Sequence, residues 1–320
     1  MKEQPGRTPV SYAVNEFLAY AKTRPDLQPE SYAGYKYKLG VFVAWCESQD
    51  ICLEQIRRKA IAQFLDYMRA THSSRTPGLP ITDRTLGGYV RTIKTMLYWC
   101  IKEDAEGEFQ DAISHVSILS IRNLLRVEGR IIETFSDKHI ASMLEACKSE
   151  ENDCMCTRAQ AIVMLLNTTG IRAAECCTLT LGHTHTDSTS YIKVMGKGRR
   201  EREVELPNDT RRKLSAYIRK YRAGAGEEET TFVSREGRAP LTVAGLQQLI
   251  RRLGRRAGVR GVRCSPHTFR HTFAARCYAV EKKDILAISR ILGHRTIRVT
   301  EIYLESISSR NVQPGLRRVK

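Results

Sequence analysis

Four short segments in the second half of the chain set basic or imidazole side chains beside residues that break regular structure. Thr168-Thr-Gly-Ile-Arg172-Ala-Ala-Glu175 places Arg172 just after a glycine able to end a helix in a left-handed cap. Gly196-Lys197-Gly198 projects one lysine from a tight turn, its flanking glycines keeping bulk away. In Ser265-Pro-His267-Thr-Phe-Arg270-His271 the proline suits a first helical turn, and His267 and Arg270 then share one face. Leu292-Gly293-His294 leaves an imidazole in a connecting turn, and Tyr303 follows nine residues on. Cations and imidazoles gathered at turns suit contact with an anion. Taken singly, each segment also has a plainer structural reading. Arg172 can pair with Glu175 on the surface, Lys197 can simply touch nucleic acid, and Tyr303 can be half-buried packing.

Metal chemistry is the weaker reading of the same residues. His267 and His271 have the i, i+4 spacing of zinc ligands, yet Thr268 stands where a metalloprotease helix carries its glutamate. The ten cysteines include Cys154-Met-Cys156 and Cys176-Cys177, followed by His183 and His185, without the two matched knuckles of a structural zinc site. Others, such as Cys46, Cys100 and Cys147, lie in apolar stretches. Reduced thiols packed as small hydrophobes are expected, with no metal and no cofactor.

The charge points to a polyanion. The 320 residues hold 52 Lys and Arg against 35 Asp and Glu, a net +17. Residues 1–128 have 17 basic and 15 acidic side chains, a net +2, whereas residues 129–320 have 35 and 20, a net +15. A balanced front half joined to a strongly basic back half suggests two domains, the second facing nucleic acid. No apolar run approaches the ~20 residues that span a bilayer, and Met1-Lys-Glu-Gln-Pro-Gly-Arg7 lacks a secretory apolar core. Membrane and secreted classes are therefore excluded as expectations, and a cytoplasmic, nucleoid-associated location is expected.

The elements that must position these groups follow from periodicity. In the front half, apolar residues recur at helical spacing in four stripes: Val10–Ala21, Tyr35–Val43, Ile56–Met68 and Leu86–Ile101. They predict a bundle of four or five helices. The stretch 120–134, with Arg122, Arg126 and Arg130, reads as a linker. Ser136 is placed to cap a helix, and another helix should run through 159–167 and stop at Gly170. The period then changes: Tyr191–Met195 and Glu201–Leu206 read as a β-hairpin around the Lys197 turn. Helical patterns return at 209–222, 243–255, 267–279, 284–292 and 297–305. The fold class is mainly α (α+β): a helical bundle followed by a mostly helical domain with a small antiparallel sheet, divided into 1–125 and 126–320.

Together, Arg172, the Gly-Lys197-Gly hairpin, His267-x-x-Arg270, Leu-Gly-His294 and Tyr303 resemble the tyrosine recombinase (phage integrase) family, in its two-domain, Xer-like form. The resemblance covers about residues 131–305. It implies a core-binding, SAM-like helical domain over 1–125 and a catalytic domain over 126–320. It further implies a site-specific recombinase or integrase that cuts and rejoins DNA through a covalent 3′-phosphotyrosine.

That resemblance gives each residue type a chemical role. Attack on a phosphodiester adds negative charge to the phosphoryl oxygens, and Arg172 and Arg270 would clamp them with paired donors. Tyr303 would be the nucleophile, a phenol of pKa ~10 that needs help to lose its proton. His267 would accept that proton, Lys197 would protonate the departing 5′-oxygen, and His294 would donate to the phosphate and help place Tyr303. Glu175 would be an anchor for the arginines or for His267, without taking part itself. Arg199, Arg200, Arg263 and Arg295 are the expected DNA contacts. The implied partners are double-stranded target sites and a homotetramer on two of them, the protein being a monomer or weak oligomer when free. Accessory DNA-bending proteins complete that set, and no membrane is involved. Two other readings share features with this one: a type IB topoisomerase relaxing supercoils, and an inactive DNA-binding derivative. Relaxation of a plasmid lacking the target would mark the first, and absence of any covalent adduct the second. About nine residues precede the first helix, which favours a Xer-like, transposon or integron type over one with an arm-binding domain. The tail 306–320 reads either as a frayed basic terminus or, as the resemblance implies, as a segment that docks on a neighbouring subunit.

Overall fold

The computed structural model describes residues 7–72, 79–102, 109, 112–113, 118–119, 121, 124–125, 133–187, 190–196, 201–234, 239–294 and 296–305. The chain divides into two compact units, Met1–Glu128 and Gly129–Lys320.

In the first unit, helices α1 (Val10–Thr23), α2 (Pro29–Ser48), α3 (Arg58–Thr71) and α4 (Asp83–Lys102) carry the apolar stripes. On α3 the inward positions are Ala60, Ile61, Phe64, Leu65 and Met68, the i, i+3/i+4 rows that one face of a helix presents. The Phe64 ring meets Phe42 edge-on at 5.1 Å between centroids and Tyr89 at 6.0 Å. Each such buried side chain contributes about 1.5–3 kcal/mol of transfer free energy. Ile56 is buried but precedes the helix, following a 3-10 turn at Leu53–Gln55. Ile121 is buried in this core, and Leu124 and Leu125 pack against it, so the apolar residues at the start of the expected linker belong to the bundle.

The second unit opens with α5 (Asp137–Ala146), whose N-cap Ser136 accepts a bond from the His139 amide at 3.2 Å. Helix α6 (Asp153–Thr169) is buried on most of its surface and ends at Gly170, φ 61°, a conformation where a side chain would also collide with the Phe273 ring. The short α7 (Ala173–Thr178) follows at once. Strands β1 (Thr184–His185), β2 (Tyr191–Met195) and β3 (Glu201–Glu205) form an antiparallel sheet in the order β1-β2-β3, with Val194 opposite Arg202. The hairpin lies where the alternation placed it. Strand β1 went unread because two residues are too short to show a period.

Helices α8 (Asn208–Tyr221), α9 (Val243–Arg256), α10 (Pro266–Ala279), α11 (Ile285–Leu292) and α12 (Ile297–Glu305) complete the unit. Their caps are local: Thr242, Ser265 and Asp284 accept from the Gly245, Thr268 and Ala287 amides. The main core joins Ile162, Leu165 and Leu166 of α6 to Leu214 and Tyr217 of α8, Leu246 to Leu253 of α9, and Phe269 of α10. A smaller cluster packs Phe273, Ala274 and Cys277 of α10 against Ile288 and Leu292 of α11. Cys46, Cys52, Cys100, Cys147, Cys176, Cys177 and Cys277 are buried, and burial pushes the Cys46 and Cys147 thiols up to about 12, so they pack in the protonated form. Among the described residues, no helix is long and apolar enough to cross a membrane.

Candidate active site

The site is built around the end of α11. Gly293 adopts φ 64° and closes that helix in a left-handed cap. A helix C-terminus leaves its last carbonyls without intrahelical donors and carries partial negative charge. Here three consecutive carbonyls each accept from a different guanidinium. Arg202 Nε donates to Ile291 O at 3.0 Å, Arg270 Nη2 to Leu292 O at 2.6 Å, and Arg172 Nη2 to Gly293 O at 3.0 Å.

The two expected clamp arginines come from different helices. Arg172 is the N-cap residue of α7, and its side chain is about one-third exposed. Arg270 lies on α10, is almost fully buried, and also donates from Nη1 to Gly170 O at 2.8 Å. The glycine cap that ends α6 therefore supplies the carbonyl that orients Arg270. Each guanidinium has five N–H donors in a planar fork, the geometry that matches paired anionic oxygens.

Glu175 is the buried counter-charge, only 4% exposed. Its Oε1 accepts from Arg172 Nη1 at 2.8 Å and from Arg202 Nη1 at 2.9 Å. Its Oε2 accepts from the Arg172 amide at 2.7 Å and from Arg202 Nη2 at 2.9 Å. Burial alone would raise the carboxyl pKa, but the Arg202 and Arg172 bonds outweigh it and hold it down at about 2. Glu175 thus touches Arg172 and Arg202.

Arg202 is the residue that the sequence reading missed. It sits on β3 between Glu201 and Glu203, both exposed, and faces inward with Val204. That alternation was the available signal: a charge on the apolar face of a strand requires a buried partner.

The imidazoles converge on the same place. His294 leaves the Gly293 turn, and its Nδ1 lies 2.8 Å from the hydroxyl of Thr300, a buried residue of α12. Burial first, then Arg270, Arg172, Arg202 and His267, lowers the His294 pKa to about 4. His267 is exposed in the first turn of α10, and its ring meets the buried His271 ring at 4.4 Å. His271 is lowered to about 3, chiefly by burial and then by His267 and Arg270. Both values lie below the ordinary 6.5, so the unfolded chain takes up these protons first. The stabilisation from the neutral imidazoles is complete above about pH 6.5 and is lost as pH falls toward 4 and then 3. The thermal unfolding midpoint is expected to decline steadily from pH 7 to pH 4. A midpoint constant over that range would contradict buried neutral imidazoles.

Of the other expected residues, Tyr303 falls on α12, the helix launched just after His294, and its side chain lies outside what is described. Arg263 is exposed just before α10, its carbonyl accepting from the Thr268 hydroxyl. Lys197, Arg199, Arg200 and Arg295 lie outside the described residues, as does the 306–320 tail. Lys197 belongs to the connection between β2 and β3. The structure therefore brings Arg172, Glu175, Arg270 and His294 together, with His267 in the same field.

Comparisons with known proteins show what the chain is similar to. Residues 133–310 match the model of the phage integrase family. Tyrosine recombinase XerC of Anoxybacillus flavithermus is 25% identical over 300 residues, 92% of this chain and 93% of that protein. Tyrosine recombinase XerD of Oceanobacillus iheyensis is 24% identical over 308 residues, 94% of this chain and 96% of that protein. Among solved structures, the XerH recombinase bound to a palindromic difH substrate in a post-cleavage complex superposes with a TM-score of 0.74 at 17% identity, covering 97% of each chain. The lambda integrase tetramer bound to a Holliday junction gives 0.68 at 15% identity, covering 99% of this chain and 81% of that one.

Proposed function

Since the chain belongs to the phage integrase family, we propose that it is a site-specific DNA recombinase in which Tyr303 attacks a DNA phosphodiester. The observation that carries this assignment of roles is the meeting of Arg172, Arg270 and His294 at the single turn Leu292–His294, from which the Tyr303 helix departs. The Tyr303 oxygen forms a bond to phosphorus at the 3′ side, and the bond from phosphorus to the 5′-oxygen breaks. His267 accepts the phenolic proton and Lys197 donates one to the leaving oxygen. A 5′-hydroxyl from the same or another strand later reverses the step, so the phosphodiester is conserved and no nucleotide triphosphate is needed.

The geometry supports electrostatic stabilisation as the main device. Charge that develops on the phosphoryl oxygens meets fixed guanidiniums whose orientation is set before DNA arrives. Their bonds to Gly170 O, Leu292 O, Gly293 O and Glu175 supply that preorganisation. His294, neutral beside them, offers the phosphate an N–H from Nε2 in the tautomer whose Nδ1 accepts from the Thr300 hydroxyl. In this reading the unit 126–320 is the catalytic domain, and 1–125 is the core-binding domain. Arg199, Arg200, Arg263 and Arg295 contact backbone phosphates, which position the protein without reading sequence. The working form is a homotetramer on two double-stranded sites in the cytoplasm.

Mapping of protein-linked 3′ ends across genomic DNA tests the function. Adducts are expected at one short recurring site, and a plasmid carrying two copies should recombine. Relaxation of supercoiled plasmid lacking that site, with no exchange between sites, would turn the assignment toward a topoisomerase.

A further inference from the structure

Arg202 is not among the groups assigned a chemical step, yet its guanidinium makes three bonds within the site. Its guanidinium faces Glu175 as a fork, Nη1 on Oε1 and Nη2 on Oε2, both at 2.9 Å. Its Nε holds Ile291 O at 3.0 Å, and its side chain is only 14% exposed. It also lies directly beneath the catalytic turn: a Cβ on Gly293 would come within 3.0 Å of Arg202 Nη1. A side chain at residue 293 would crowd this guanidinium, in addition to the strain of the positive φ.

Arg172 competes for the same carboxylate. It gives Glu175 one side-chain nitrogen, Nη1, and spends Nη2 on Gly293 O. A buried carboxylate draws as many donors as can reach it, because its unmet lone pairs are costly at low dielectric. With the Arg202 fork in place, both Glu175 oxygens are occupied and Arg172 remains turned toward the α11 turn. Without that fork, Glu175 would take Arg172 as a two-bond partner and withdraw it from the turn and from any anion there.

We infer that Arg202 is a positioning residue of the cleavage reaction: by saturating Glu175 and holding Ile291 O, it keeps Arg172 extended toward the scissile phosphate and in register with the turn that launches His294 and α12. This rests on the reading of Arg172 as a phosphate clamp. It also ties strand β3 to the end of α11 by one side chain.

The test compares single-turnover cleavage by the full-length parent, Arg202→Met and Arg172→Met on two suicide substrates. One carries an ordinary scissile phosphodiester and the other a neutral methylphosphonate at that position. Arg202→Met is expected to bind the site nearly as the parent does and to cleave the phosphodiester on the order of 10–100-fold more slowly, the loss that a small displacement of a catalytic group produces. On the methylphosphonate, which has one non-bridging oxygen fewer to clamp, the deficit relative to the parent should shrink toward unity. A purely structural defect would slow both substrates equally, and that outcome overturns the inference, as does parent-like cleavage of the phosphodiester. Full activity of Arg172→Met would instead overturn the clamp reading itself. Should Arg202→Met fail to fold, Arg202→Lys carries the same comparison. It keeps the charge and loses the fork, so an intermediate deficit with the same relief on methylphosphonate is expected.

Discussion

Tyr303→Phe is expected to abolish covalent attachment to DNA, by on the order of 10⁵-fold or more, while leaving site binding close to that of the parent. Only the phenolic oxygen is lost, so the ring and the surrounding chain are retained. The arginines, His294 and Glu175 keep their bonds to one another and to the α11 turn, since none of these involves residue 303. A nicked suicide substrate, which lets the cleaved end diffuse away, makes the adduct visible as a retarded band in a denaturing gel. The same preparation should shift an intact site in a native gel. An adduct that persists in the variant would remove Tyr303 from the mechanism. The next candidates would be Tyr278, which is 39% exposed on α10, and Tyr191 on β2, whose ring lies 4.4 Å from that of His185.

Lys197→Ala should slow cleavage of ordinary DNA by about 10²–10⁴-fold, the usual contribution of a positioned acid. The diagnostic result comes from a 5′-bridging phosphorothiolate. Sulfur leaves as a thiolate without needing a proton, so an enzyme deprived only of its acid should cleave this substrate near the parent rate. Equal losses on both substrates would make Lys197 a DNA contact. The pairing of substrates also separates Lys197 from Arg202. Loss of the acid is relieved by a better leaving group, whereas a displaced clamp is relieved by a neutral phosphoryl centre.

Much of the site could be read before any fold was known, because its members carry local marks. Gly170 and Gly293 announce helix ends by their own conformational freedom, and Ser265-Pro266 announces a helix start. Arg172, Arg270 and His294 sit directly beside those marks. The helical patterns at 243–255, 267–279 and 297–305, which each segment carries by itself, match helices Val243–Arg256, Pro266–Ala279 and Ile297–Glu305 to within a residue. Arg202 has no such mark. Between three glutamates it reads as one more charge on a solvated strand, and only the inward alternation with Val204 distinguishes it.

Residue types, their order, the helical periods and the charge division between the halves were thus determined by the sequence alone, since each depends on neighbours within a few positions. The tertiary structure decided which charges are buried and what they hold. Arg172 reaches a carbonyl 121 residues away, Arg270 one 100 residues away, and Arg202 one 89 residues away. It also decided that Glu175 serves two arginines and stays ionised to about pH 2, and that His294 is held neutral with a pKa near 4. The physical reason is that burial and Coulomb energies depend on distance through space. Separation along the chain leaves that distance open until α6, α7, α10 and α11 have packed around one core.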